Sequence, residues 1–342
     1  MTAPAAGAGS QRDVPNLYLA DYLVGRSEHP RLARCRSAVY PGGALPYLGH
    51  YTDQNCNFAL DRFDDPQVAG RLPMSAESLR RAILEIGDEL VYRLTDFDQR
   101  LAVARSGALI RTVYQTEDGA VYCNSVVPGE YVVAVTLGAP AEHGVPLSEW
   151  DAVRHADQAI ARLTTELRAD LSRSDQNPGG WRERRQTGPS AGSEPPVTHH
   201  GAEIGPVATA CRAALSVEHL HYVGWVKNRD VVYAADILDA PALRRFFPDV
   251  TITPTVRREF YGRLARLLCR LYPELTGLVE PVAGDPLHRL VLDVEEGAVY
   301  WYRQAPGKFL IGVTLNQERV SLADEALAEL MVSVQKQDDL HH

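Results

Sequence analysis

Two stretches of this 342-residue sequence are closely alike: Pro128-Gly-Glu-Tyr-Val-Val-Ala-Val-Thr-Leu137 and Pro306-Gly-Lys-Phe-Leu-Ile-Gly-Val-Thr-Leu315. Just upstream, Glu117-Asp-Gly-Ala-Val-Tyr122 matches Glu295-Glu-Gly-Ala-Val-Tyr300 at the same separation of 178 residues. Between residues 117 and 137, ten of the twenty-one positions are identical to their counterparts. This similarity indicates an internal repeat.

Two further blocks extend the match toward the start of each copy. Leu45–Tyr51 aligns with Leu220–Val226 at a separation of 175, and Cys35–Val39 aligns with Cys211–Leu215 at 176. The blocks keep one order and their separations drift by only three residues. Two unrelated hairpins of similar sequence would not share such an order, so the pattern predicts a duplication.

Each copy predicts the same order of elements, α-β-β-α-β-β-β-α. Apolar runs around polar turns predict hairpins. Apolar residues at helical spacing predict the long middle helix, with Leu79, Ile83, Ile86 and Leu90 in copy one and Phe260, Leu264, Leu267 and Leu271 in copy two. The fold class is therefore α/β (α+β): two tandem units, each an antiparallel five-stranded sheet with helices on its apolar faces.

Composition sets the predicted boundaries. Residues 1–15 predict a disordered N-terminus, 16–171 the first unit and 206–337 the second. Gly, Pro, Ser and charged residues dominate 172–205, which predicts a flexible linker. A linker of this length lets the two units pair within one molecule as a pseudo-dimer.

The bulk chemistry favours a cytoplasmic protein without a membrane span. The formal net charge is −9, which disfavours nucleic acid as the main partner. No stretch approaches 18 uninterrupted apolar residues, and the N-terminus lacks the basic start of a signal peptide. Five scattered cysteines without a Cys-x-x-Cys pair predict neither a disulfide framework nor a zinc ribbon.

Common catalytic and nucleotide-binding motifs are missing, so we predict no catalytic, cofactor or metal residues. His219 and His221 would share one face of a strand, as metal ligands or as polar surface residues. An Asp-x-x-Asp pattern recurs at Asp61 with Asp64 and at Asp236 with Asp239. Such pairs could serve acid–base chemistry or bind a cation, but turn capping is the favoured interpretation.

Two weaker patterns have structural interpretations that we prefer. Cys35 and Cys211 occupy equivalent positions, which fits buried packing better than thiol chemistry. Trp181-Arg-Glu-Arg-Arg185 is a basic, aromatic patch within the linker; a solvated charge run is favoured over a docking motif.

The element order resembles that of the roadblock/LC7 family, within the profilin-like longin and roadblock superfamily. Copy two resembles it most, through Tyr222-Val-Gly-Trp-Val-Lys-Asn-Arg-Asp-Val-Val-Tyr-Ala-Ala-Asp236, Phe246-Phe-Pro-Asp249, the long helix and Val299–Val313. Copy one departs from it by an extra segment at Asn16–Val24. Sensor folds of the GAF and PAS type and secretion-chaperone-like folds share much of this pattern.

The resemblance implies a non-enzymatic scaffold or regulator whose protein partner is a small Ras-like GTPase. The predicted helix Thr255–Tyr272 carries five candidate partner-binding arginines: Arg257, Arg258, Arg263, Arg266 and Arg270. The alternative is a GAF/PAS-like sensor, which would hold a small ligand in a cavity between sheet and helix. A third interpretation, an enzyme with an unrecognised site, would require polar groups converging in one pocket.

Overall fold

One antiparallel sheet of twelve strands runs through the computed structural model, which describes residues 14–25, 28–137, 151–182, 195–201, 205–247 and 251–339. The strands are β1 (Asn16–Leu19), β2 (Tyr47–Thr52), β3 (Asn55–Asp61), β4 (Leu109–Gln115), β5 (Gly119–Val127), β6 (Glu130–Leu137), β7 (Thr198–Gly201), β8 (Tyr222–Lys227), β9 (Asp230–Asp236), β10 (Arg289–Val294), β11 (Gly297–Ala305) and β12 (Lys308–Thr314).

The helices alternate with these strands, so the protein is a mixed α+β structure. They are α1 (Leu32–Ala38), α2 (Pro66–Ala69), α3 (Ala76–Leu101), α4 (Asp151–Asp170), α5 (Pro206–Ala213), α6 (Pro254–Ala283) and α7 (Val320–Asp339). None of the described helices is long and apolar enough to cross a membrane. Most of the predicted disordered N-terminus, residues 1–13, lies outside the described residues.

The strand order is β1-β3-β2-β6-β5-β4-β10-β11-β12-β8-β9-β7. The structure differs from the predicted five-stranded units in two ways. First, β4 pairs with β10, so that one sheet continues through the middle of the molecule. Second, each outer edge gains a four-residue strand, because β1 pairs with β3 and β7 pairs with β9. Short edge strands limit further pairing with other chains.

The two faces of the sheet pack against different helices. Buried residues of α3 and α6 share one core with the side chains on one sheet face. Buried residues of α1, α4, α5 and α7 form a second core on the opposite face. The molecule is thus three layers deep, with its two longest helices together on one side.

The helical periodicity predicted for these long helices is confirmed. Leu79, Ile83, Ile86 and Leu90 are buried on α3, and Ser75 caps its start by accepting a hydrogen bond from Ser78 N at 3.2 Å. Helix α6 begins in the same way, with Thr253 as the cap. It continues through Pro273 and Pro281, where the sequence predicts a break; both prolines are exposed.

Two parts of the predicted flexible linker have regular structure. Pro178–Gly180 forms a buried 3-10 turn, which contacts α4 and α7. The backbone N of Gly179 donates to Oδ2 of Asp293 at 2.7 Å, so the turn is held to the middle of the sheet. Thr198–Gly201 forms β7. The composition of 172–205 does not reveal these contacts because they depend on distant residues.

Candidate functional site: the outer surface of the long helices

Only three of the five candidate arginines lie on the outer surface of α6. Arg257 is 2% exposed, and its guanidinium carbon lies 4.8 Å from the centre of the Phe247 ring, as in a cation–π contact. Arg258 donates to both carboxylate oxygens of Asp236, at 2.6 and 2.7 Å. These two side chains therefore point toward the protein interior, unlike the other three candidate arginines.

Arg263, Arg266 and Arg270 are exposed, and we call them the α6 arginine face. Their spacing of three and four residues places them on one side of the helix. Arg263 lies 3.8 Å from Glu259 and Arg266 lies 3.9 Å from Asp230, distances too long for strong ion pairs. Their charges therefore remain available to a ligand or partner.

An open groove runs beside this face, between α6 and the edge of the sheet. Its volume is about 550 Å³. Its lining includes His200, Tyr222, Val231, Gly262, Arg263 and Arg266. A Cβ atom added at Gly262 would meet nothing within 4 Å, which shows that this side of the groove is empty. The groove thus combines the cations Arg263 and Arg266 and one carboxylate, Glu259, with apolar side chains of β8 and β9.

The corresponding surface on α3 has a different character. Counted from the helix caps, Leu84 stands where α6 has Gly262, and it packs against the core. Tyr18 of the edge strand β1 pairs with Ala59 of β3, as His200 of β7 pairs with Ala234 of β9. A larger side chain thus replaces His200 of β7 on this side. The open basic groove is a feature of the α6 side.

The recurring Asp-x-x-Asp pairs hold arginines rather than an open cation site. Arg80 of α3 donates to Asp61 at 2.7 Å and to Asp64 at 2.6 Å, while Asn16 of β1 donates to Asp64 at 2.8 Å. We call this set the Arg80 cluster. The Asp61 carboxylate also accepts from Phe63 N at 3.0 Å, as turn capping predicts.

The Arg258 cluster repeats this arrangement on the other side. Besides its two bonds to Asp236, Arg258 donates to Asp239 at 2.7 Å. Thr198 of β7 lies 3.4 Å from the same Asp239 carboxylate, and Asp236 accepts from Leu238 N at 3.1 Å. Each cluster therefore joins a strand end, a long helix and an edge strand.

A buried ionic network crosses the middle of the sheet. Arg111 of β4 bonds to Asp157 of α4, and its Nε lies 3.0 Å from Oδ2 of Asp293 on β10. Arg289 of β10 donates to Asp324 of α7 at 3.1 Å and to Gln115 of β4 at 2.9 Å. Burial raises the pKa of Asp293 to about 6, although Arg111 opposes this shift.

Sequence reasoning missed this network, although a signal was present. Arg111 lies in the apolar run Leu109–Gln115, and Arg289 and Asp293 lie in Arg289–Val294. A charged residue within a fully buried strand requires a buried partner. That rule would have marked these residues, although not which residues pair with which.

The two histidines differ in burial, since His219 is half-buried and His221 is not on the surface. His221 is fully buried just before β8, where its Nδ1 accepts from Leu315 N at 2.9 Å and its Nε2 lies 3.2 Å from Val217 O. Burial lowers its pKa to about 4, so the ring is neutral. The prediction of polar residues on a sheet face is wrong at His221. Within the described ranges, no group of three or more His, Cys, Asp or Glu residues is placed to hold a metal ion.

His50 is another buried histidine, one that the sequence did not single out. Its Nε2 lies 3.0 Å from Glu130 and its Nδ1 lies 2.8 Å from Asn57. Both ring nitrogens therefore have protein partners. This arrangement fixes the ring between β2, β3 and β6 and leaves neither nitrogen for a substrate.

The remaining candidates have packing or pairing contacts. Cys35 and Cys211 are both fully buried, and burial raises the pKa of Cys35 to about 12, so its thiol stays protonated. Trp181 is half-buried, and Arg182 pairs with Asp175 at 2.6 Å. The rest of that basic patch, residues 183–185, lies outside the described part of the chain.

A scan against protein-family models finds no match to this chain, and a search of curated proteins finds none either.

Proposed function

We propose that the chain consists of two like units, residues 16–171 and 206–337, paired within one molecule. Similar polar contacts in the two halves support this proposal. The Arg80 and Arg258 clusters are one such pair. Another consists of two buried tyrosines: Tyr122 donates to Val153 O at 2.9 Å and Tyr300 donates to Val320 O at 2.7 Å. A shared ancestor explains why both units use the same polar contacts.

The pairing of these units would be intimate. It would join their sheets through β4 and β10, and it would place Arg111 with Asp293 and Arg289 with Gln115 across the seam. The roadblock/LC7 resemblance implies the same kind of side-by-side pairing. The function of the central region is therefore to hold two units in one orientation.

We further propose that the protein is a non-enzymatic scaffold or regulator that binds a protein partner. The roadblock/LC7 resemblance implies that this partner is a small Ras-like GTPase. One observation carries the proposal: the α6 arginine face lies exposed beside an open groove. Its cations suit an acidic protein surface, since complementary charge speeds and orients association. The polar groups at His50, His221, Asp61 and Asp236 already have structural partners, which favours binding over catalysis.

The pairing of the units predicts that they stay together after the chain is cut. A protease site inserted between Arg182 and Pro195 would let the purified full chain be cleaved there. We expect the two fragments to elute from a sizing column as one 1:1 complex, because the sheet and the buried ionic network still join them. Separation into two independent monomers without denaturant would contradict the pairing.

Partner binding predicts a charge-dependent capture of GTPases. The immobilised protein should retain one from native lysate in either its GDP- or its GTP-bound state, as identified by mass spectrometry and repeated with purified components. Arg263→Glu with Arg266→Glu should reduce binding at least about tenfold, because it places like charges in contact. Glu166→Arg with Glu329→Arg, on the opposite helix layer, is the matched control. Recovery of no GTPase in either nucleotide state would defeat this assignment.

The sensor alternative receives support from the same groove, because its volume suits a small ligand and it lies between sheet and helix. Its open, arginine-lined rim fits the acidic group of a partner better than an enclosed ligand. A small anion bound by the isolated protein, and lost in the Arg263→Glu, Arg266→Glu variant, would favour the sensor.

A further inference from the structure

The two long helices carry opposite charges at matching positions. Ten residues after its cap, α3 has Glu85 where α6 has Arg263. Thirteen residues after the cap, Asp88 corresponds to Arg266 in the same way. We call Glu85 and Asp88 the α3 acidic face; both residues are exposed. At a third matching position the charges are reversed, because α3 has the basic Arg81 where α6 has the acidic Glu259.

Both charged faces belong to the same layer of the molecule. Helices α3 and α6 pack on one side of the sheet and contact each other, with Arg93 donating to Glu274 at 3.1 Å. Their amino-terminal halves lie toward opposite ends of the sheet, since Arg80 of α3 bonds to β3 and Arg258 of α6 bonds to β9. The layer therefore presents an acidic end and a basic end.

A surface with one acidic end and one basic end can complement itself. Two copies can stack helix layer on helix layer about a two-fold axis that lies in the interface. If the axis runs across the line joining the two ends, each α3 acidic face meets the α6 arginine face of the other copy. If the axis runs along that line, like charges meet and repel. Charge inversion thus selects the first arrangement.

We propose that the α6 arginine face takes, as its acidic protein partner, the α3 acidic face of a second copy of this chain. The proposal rests on the proposed function, in which that arginine face docks protein. Because of the two-fold symmetry, each dimer contains this charged contact twice, so a substitution in either face affects two contacts. Tyr92, which is 46% exposed, adds an aromatic ring beside the acidic face, where Arg270 of the other copy's α6 arginine face can meet it. A guanidinium and an aromatic ring attract each other when they come into contact.

The partner's identity makes a direct test possible with the full chain alone. Sedimentation equilibrium of the wild type should show a monomer–dimer equilibrium that weakens as salt rises, because exposed charges are screened. Glu85→Arg with Asp88→Arg makes both ends basic, and Arg263→Glu with Arg266→Glu makes both acidic. Each double variant alone should dimerise at least about tenfold more weakly than the wild type.

Mixing the two variants supplies the decisive measurement. An all-basic chain and an all-acidic chain complement each other, so an equimolar mixture should recover dimers of wild-type affinity or better. Urea unfolding of each variant checks that it remains folded, and Glu166→Arg with Glu329→Arg should dimerise like the wild type. A monomeric wild type at low salt, or a mixture that stays monomeric while both variants are folded, would overturn the proposal.

These outcomes are distinguishable from failure of the proposed function. If the wild type stays monomeric while GTPase capture still depends on Arg263 and Arg266, the arginine face docks another protein and the self-association is refuted alone. If the cut chain falls into two monomers, the paired units are refuted whatever the dimerisation result.

Discussion

Replacing Arg111 with methionine is expected to lower the free energy of unfolding by about 3–5 kcal/mol, the typical cost of leaving a buried charge without its partner. Arg111 lies between the carboxylates of Asp157 and Asp293, and it is 1% exposed. Without it, two buried carboxylates would face each other across the strands that join the sheet. Urea unfolding followed by circular dichroism measures the loss.

Arg34→Met is the matched control. Arg34 also pairs with a carboxylate, Asp170 at 3.1 Å, but its side chain is 49% exposed. Water screens such a pair, so the control should change stability far less than the Arg111 substitution does. An Arg111 variant as stable as the Arg34 variant would show that the network does not stabilise the middle of the sheet. Loss of the 1:1 fragment complex in the Arg111 variant would link the network to pairing as well.

Asp236→Ala has the second large expected effect, a loss of about 2–4 kcal/mol. The Asp236 carboxylate is fully buried and accepts from Arg258 twice and from Leu238 N once. Its removal leaves the Arg258 side chain, which is 12% exposed, without its main partner. Thermal and urea unfolding both report the change.

Asp239→Ala separates this structural role from a cation site. Asp239 bonds to the same Arg258 but its side chain is 51% exposed, so its loss should cost less than about 1 kcal/mol. A cation site would require both carboxylates. Stabilisation of the wild type by added divalent cations, abolished equally by either substitution, would contradict the arginine-cluster interpretation.

The periodic elements were predictable because each depends on local pattern. Leu79 to Leu90 repeat at helical spacing, and Glu117-Asp-Gly places a turn between two β-branched, apolar strands. The surface arginines were only partly predictable. The helical phase set by Phe260 and Leu264 would have shown Arg257 to be buried, because Arg257 precedes them by three and seven residues. It would not have shown the inward bonding of Arg258, which depends on Asp236 of a distant strand.

Contacts between distant residues could not be predicted. The pairing of β1 with β3 and of β7 with β9 adds four-residue, mostly exposed strands that are too short to show a period of their own. The burial of His221 depends on Leu315 N, 94 residues away. Periodicity reports which side of an element is apolar, whereas the position of a backbone donor depends on the completed fold.

The buried turn at Pro178–Gly180 has a consequence for how the two halves find each other. Because Gly179 bonds to Asp293 and Gln317 donates to Asn177 O at 2.9 Å, the connection is fastened at the seam itself. Only the stretch beyond Gly180 must span the distance to β7. A short tether raises the effective concentration of one half at the other. Exchange of halves between neighbouring chains would first have to release that turn, so the turn disfavours such exchange.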